Sequence, residues 1–182
     1  MRKHILTLLV FTWLIALLAA LWWYQSRYIR PFDESVALFD ATALHLPDNL
    51  AGPGSIRLVH FWEPACPCNG GNQQHLAEIM RAFAGDVQFY HVQKSGSKGH
   101  LPKPLQAMLP IEHMPGSEQL PASPAVAIFD REGRLAYFGP YSEGAVCTAS
   151  NSFVEPVLHA LQQGRPVAAA STLASGCFCD WQ

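Results

Sequence analysis

From Ile5 to Tyr24 the chain runs 20 residues without a charged side chain. That is about the ~20 residues an α-helix needs to cross a bilayer. Trp22, Trp23 and Tyr24 close the run, where amphipathic rings favour the membrane–water boundary. A cleaved signal peptide is the rival reading. Its apolar core is usually shorter, roughly 7–15 residues, and is followed by small residues, whereas here Leu18-Ala19-Ala20 runs into bulky aromatics. The run is therefore read as an uncleaved anchor. Arg2 and Lys3 precede it and Arg27 and Arg30 follow it, so counting basic residues does not orient it. A short N-terminus is easily left in the cytoplasm, which puts the remaining residues outside the inner (plasma) membrane.

Beyond the anchor about 150 residues remain, enough for one well-cored domain. The formal net charge of −2 carries no basic excess of the kind nucleic-acid binding shows. Five cysteines suit an oxidising, periplasmic compartment, and the odd number leaves at least one thiol unpaired within a monomer.

Residues 25–54 are rich in turn formers and read as a lead-in, with one short element around Val36–Leu44. IRLVHFW, residues 56–62, is a β-type run bounded by Gly54 and Pro64. The period then changes. Leu76, Ile79, Met80 and Phe83 fall on one helical face, and Gly85 supplies a stop. DVQFYHV, residues 86–92, is a second strand. An irregular stretch follows from Gln93 to Pro121, with a short helix expected near Leu105–Leu109. Pro124 introduces a hairpin of Ala125–Phe129, a turn at Asp130–Gly133, and Arg134–Phe138. Ser152 and Glu155 have capping-box spacing ahead of a helix carrying Phe153, Val157, Leu158 and Leu161, closed by Gly164.

This order, together with LVHFWEPACPC and SPAVAIFDREGRLAYFGP, resembles the thioredoxin-like superfamily, in particular its membrane-anchored, extracytoplasmic members. The likeness covers roughly residues 50–164. It implies an α/β fold, a central mixed sheet flanked by helices behind a single transmembrane helix. The organisation is then an anchor at 1–24, the lead-in at 25–54, a thioredoxin-like domain at 55–164 and a cysteine-containing tail at 165–182. By the same resemblance Cys66 matches the attacking cysteine, Pro124 the cis-proline facing it, and Ser123 the residue whose backbone meets substrate. His60 matches a strand position often held by a buried acid that assists proton transfer. The chain departs from the family in one respect: the second cysteine comes early, as Cys66-Pro67-Cys68, and Asn69 stands at the usual resolving position.

A cysteine at a helix N-terminus is reactive because unpaired N–H groups and the helix dipole favour the thiolate, the form that attacks disulfides and binds metal. Glu63 would oppose that effect. A bond between Cys66 and Cys68 would close a small ring that Pro67 stiffens, giving a strained and readily reduced disulfide; otherwise these two cysteines do not pair with each other. Cys147, in a loop expected on the active face, and the tail pair Cys177 and Cys179 are candidate resolving or regulatory cysteines, with a structural or spare thiol the default reading for Cys147. The tail pair is most simply a staple to the body.

Three functions remain open. The favoured one is a thiol–disulfide oxidoreductase acting on protein thiols and disulfides outside the cytoplasm, with Cys66, Cys68, Pro124 and His60 at its centre and no cofactor. The second is a copper or zinc carrier using Cys66, Cys68, Cys177, Cys179 and His75. Four thiolates would suit a soft or tetrahedral ion, although C-x-C is tighter than the usual zinc spacing. The third is a scaffold whose cysteines are only staples. A peroxidase is disfavoured, because Trp62, Glu63, Pro64 and Ala65 lack the threonine or serine that the peroxiredoxin pattern places before its cysteine. His60 has the alternative of an ordinary core histidine, and His75 of a surface polar residue.

Overall fold

In the computed structural model of the chain, residues 2–32, 43–144, 146–170 and 174–181 are described. Most of the element expected around Val36–Leu44 lies outside them. Helix α1 (Arg2–Tyr28) contains a stretch, Lys3–Tyr28, long and apolar enough to cross a membrane, with none of it buried by the domain. Its two threonines are satisfied within the helix. Thr7 and Thr12 donate their hydroxyls to the carbonyls of Lys3 and Leu8, at 2.8 and 2.9 Å, so neither hydroxyl hydrogen is left unpaired.

The chain then forms β1 (Ile29–Pro31), β2 (Ile56–Trp62), α2 (Asn69–Ala82), β3 (Val87–Gln93), β4 (Leu109–Pro110), β5 (Ala122–Ser123), β6 (Ala125–Phe129), β7 (Leu135–Gly139), α3 (Val154–Gln162), β8 (Ala169–Ala170), β9 (Ser175–Cys177) and β10 (Cys179–Asp180). Six strands make the main sheet in the order β4-β3-β2-β6-β7-β8. β2 lies at its centre, parallel to β3 and antiparallel to β6, and β6 and β7 form the expected hairpin. A parallel pair joined through α2, followed by a hairpin and α3, is the thioredoxin-like arrangement.

All seven residues of β2 are buried, because both faces of the sheet are covered and neither can carry the polar half of an alternating strand. On one face Ile56, Leu58 and Trp62 pack against Leu76 and Ile79 of α2 and Val157, Leu158 and Leu161 of α3. The opposite face, with Val59 and Phe61, is covered by Phe32, Leu44 and Leu46 from the lead-in and by Phe178 and Trp181 from the tail. The lead-in and the tail therefore pack onto the sheet.

Local chemistry explains the hairpin. The Asp130 carboxylate accepts from the backbone N–H of Glu132 and Arg134 at 3.0 and 2.9 Å. Gly133 takes φ +81°, and a Cβ there would lie 3.1 Å from the backbone nitrogen of Gly52, so glycine is needed on both counts. Elsewhere the chain departs from expectation. Instead of a helix near Leu105–Leu109 there is a 3-10 turn at Lys103–Leu105 followed by β4, since Pro102 and Pro104 cannot donate to a longer helix. The capping box does not form either. Ser152 Oγ accepts from Val154 N at 3.1 Å, but Glu155 turns away to His75. Pro156 is the third residue of α3, within the first turn, where a missing N–H costs no helical bond.

Candidate active site

β2 ends at Trp62, and the turn that follows carries both early cysteines. Cys66 N–H donates to Glu63 O at 3.0 Å, and Cys68 is the N-cap of α2. Cys66 thus lies two residues before the N-cap, and Cys68 occupies the N-cap itself. Two side-chain amides fasten the turn: Asn69 Nδ2 donates to Glu63 O at 2.6 Å and Asn72 Nδ2 to Cys68 O at 2.9 Å. Asn69, at the position the family usually gives to a second cysteine, acts here as a brace.

The tail supplies the cysteine partners. β9 pairs antiparallel with β1, placing Cys177 opposite Ile29. β10 pairs antiparallel with β5, placing Cys179 opposite Ser123. The disulfides are Cys66–Cys179 and Cys68–Cys177, so the strained Cys66–Cys68 ring does not form. The reason is geometric. Residues two apart on an extended segment project to the same side, so Cys177 and Cys179 meet Cys66 and Cys68 as a matched pair.

The tail also changes the exposure of the site. Cys66, expected to be accessible, is only 5% exposed, as are Cys68 and Cys177. Cys179 is half-buried. The Ser123–Pro124 bond is cis, and Cys66 Sγ lies 3.8 Å from the Ser123 carbonyl oxygen. Cys66, Ser123 and Pro124 are therefore brought together. Tyr24 Oη, near the end of α1, lies 3.8 Å from Cys177 Sγ, and Phe178 N–H donates to Tyr28 O at 3.0 Å. The end of the apolar helix is thus part of the cysteine cluster.

Beside the Cys66–Cys179 bond opens a cleft of about 410 Å³, lined by Cys66, Pro67 and Cys179 with Arg27, Arg30, Lys94, Glu63 and Asp180. Glu63 is ion-paired with Lys94 at 3.6 Å, Arg30 with Asp180 at 2.7 Å, and Lys94 also donates to Asp180 O at 3.0 Å. The opposition expected from Glu63 is offset by Lys94. Arg30 and Lys94 stand in no motif of the sequence; only the return of the tail gives them a place.

The contacts of the other candidates are with other residues. His60 is fully buried, its Nδ1 2.9 Å from Tyr141 Oη. Burial, aided by the nearby His91, lowers its pKa to about 3, so it is a neutral core histidine at physiological pH. Cys147 is the free cysteine. It is buried in the cluster between sheet and helices, separate from the cluster of Cys66, Cys68 and Cys177. Burial pushes its thiol up to about 11. His75, with a surface residue as its default reading, is buried, and bonds Glu155 at 3.1 Å with Glu78 3.6 Å from its other nitrogen.

Among the described residues, the sulfurs of Cys66, Cys68 and Cys179 lie within 4.8 Å of one another. As disulfides they are poor metal ligands, since metals take thiolates; after reduction, with Cys177, they would form a thiolate set. His75 is not part of this group.

A family model described as "Domain of unknown function (DUF6436)" matches residues 35–181. No curated protein matches the chain. Among solved structures, the chain is similar to a hypothetical protein from Sinorhizobium meliloti 1021 at 18% identity, covering 85% of this chain and 97% of that one with a TM-score of 0.49. An uncharacterized conserved protein from Geobacillus kaustophilus matches at 16% identity over 86% and 87% of the two chains, TM-score 0.46. MTB dsbF, in mixed oxidized and reduced forms, matches at 20% identity over 46% and 68%, TM-score 0.36.

Proposed function

We propose that this chain, which belongs to the DUF6436 family of domains of unknown function, is a thiol–disulfide oxidoreductase. It acts on protein thiols outside the cytoplasm and is held at the inner membrane by α1. The observation that carries this reading is the Cys66–Cys179 disulfide, which borders an open cleft with the Ser123–Pro124 backbone against it. A disulfide that served only as a staple would need no cleft. In this reading the redox pair is Cys66 with Cys179, in place of two cysteines three residues apart, and Cys68–Cys177 holds the tail in register. Exchange follows ordinary thiol chemistry: a partner thiolate attacks one sulfur of the bond, a mixed disulfide forms, and the other sulfur leaves as thiolate.

The test uses the full chain in detergent or nanodiscs with a reduced dithiol protein as substrate. Oxidation of the substrate with loss of the Cys66–Cys179 bond is the expected result. Cys66→Ser, in which that bond cannot form, should abolish the oxidation. Undiminished oxidation by Cys66→Ser, or a Cys66–Cys179 bond resistant to mild dithiol, would refute the assignment.

A second reading, a copper or zinc carrier, draws support from the close approach of three sulfurs. Metal analysis of the anaerobically reduced protein tests it: near-stoichiometric copper or zinc, lost in Cys179→Ser, is the result it requires.

A further inference from the structure

We propose that an incoming partner sulfur reaches the redox bond from the cleft at the end of α1 and attacks Cys179, not Cys66. The partner is a cysteine in an acid-flanked protein segment at the membrane surface. This inference rests on the oxidoreductase reading above and adds to it which sulfur is attacked, the route of entry and the class of substrate.

Three observations carry it. First, the edge of β5 beside Pro124, where an extended peptide would add as a strand, is already paired with β10. The chain's own tail occupies that edge, and substrate must come from elsewhere. Second, the two cysteines of the bond differ in exposure. Both line the cleft, but Cys66 is 5% exposed, beneath the tail and against Ser123 O, while Cys179 is half-buried. Third, the cleft carries Arg27, Arg30 and Lys94 against Glu63 and Asp180, an excess of one positive charge. Such a wall concentrates an anionic thiolate and the acidic residues flanking it. Arg27 and Tyr28 belong to the last turn of α1, so the mouth of the cleft sits where that helix would leave the membrane.

The step balances without an outside reagent. A partner thiolate bonds to Cys179 Sγ, the Cys66–Cys179 bond breaks, and its electron pair leaves on Cys66 as thiolate. A second partner thiolate then attacks the partner's own sulfur, closing the partner disulfide and releasing Cys179 as thiolate. Two partner thiols are oxidised and one protein disulfide is reduced. Phe178 and Trp181, buried against the sheet, keep the tail in place through both exchanges, so Cys179 stays at the cleft whatever it is bonded to.

The experiment uses oxidised full-length protein in nanodiscs. It is mixed briefly with a single-cysteine peptide flanked by aspartates, quenched in acid and mapped by mass spectrometry, and a lysine-flanked peptide is run beside it. The expected result is a mixed disulfide on Cys179, formed about tenfold faster at low salt with the acidic peptide, the gap closing as salt is raised. A mixed disulfide on Cys66, equal rates for the two peptides, or no peptide adduct although dithiothreitol opens the bond would overturn this inference and leave the oxidoreductase reading standing. Failure of dithiothreitol to open the bond would overturn both.

Discussion

Cys179 stands directly opposite Ser123 in an antiparallel pair while its sulfur is bonded to Cys66. One residue of the tail is therefore both the strand neighbour of the residue before Pro124 and the covalent partner of the cysteine at the end of β2. The tail packs where a thioredoxin-like domain would otherwise present a bare sheet edge and an open thiol, and this contact links the fold to the proposed chemistry.

The two disulfides should not contribute additively. They span 113 and 109 residues, nearly the same loop. By the chain-entropy relation, the first to form restricts a loop worth about 5 kcal/mol, and the second closes only a ring of a few residues, worth about 2 kcal/mol. Cys177→Ser or Cys179→Ser alone should therefore destabilise the protein by about 2 kcal/mol, and the double variant by about 7 kcal/mol. Denaturant midpoints in nanodiscs would show this. A double-variant loss equal to the sum of the two single losses would argue that the bridges act on separate loops.

Trp181 should hold the tail without help from sulfur. Its ring meets Phe61 edge-on at 6.0 Å, and its indole N–H donates to Ser117 O at 2.7 Å. Truncation to alanine removes a large buried ring, a loss of about 3–5 kcal/mol. More tellingly, reduced Trp181→Ala should reoxidise with scrambled pairings, whereas the reduced wild type, its tail still docked, should return to Cys66–Cys179 and Cys68–Cys177. Mapping of linked peptides after air oxidation separates the two outcomes.

The elements around the site were largely legible because their signals are local. The run 56–62, the Asp130–Gly133 turn and Pro124 are each marked by residues within a few positions. The partner of Cys66 was not. Its identity depends on a tail 113 residues away folding back as an extended strand, and nothing near Pro67 records that. The same holds for His75, whose helical position reads as surface until Glu155 from α3 arrives to bond it. Phe32, Leu44 and Leu46 looked like parts of a lead-in because isolated apolar residues between turn formers show no period. Each of these misses is a contact between distant segments, unlike the helix expected near Leu105–Leu109, which Pro102 and Pro104 break locally.

Cys147 should be a bystander. Its thiol is pushed up to about 11 by burial, so little thiolate is present near neutral pH. Alkylation of the native, oxidised protein at pH 7.5 should leave Cys147 unmodified until denaturant is added. Cys147→Ser should retain both disulfides and the rate of exchange with a dithiol substrate. Rapid native alkylation, or loss of exchange in that variant, would return Cys147 to the mechanism.

His60 gives a pH dependence whose direction is fixed. Its pKa falls from 6.5 in the unfolded chain to about 3 in the folded one, chiefly by burial and then by the nearby His91. Between these values the unfolded state binds a proton that the folded state refuses, so stability rises with pH there and is lost as pH falls from 6.5 toward 3. One such group changes the slope by about 1.4 kcal/mol per pH unit at most. His60→Asn keeps a side chain able to bond Tyr141 Oη but cannot titrate. Urea midpoints taken from pH 7 to pH 4 should therefore fall less steeply in His60→Asn than in wild type, with the two curves parallel above pH 7. Equal slopes throughout would mean that His60 takes up its proton in the folded state, and a proton-transfer role near β2 would have to be reconsidered.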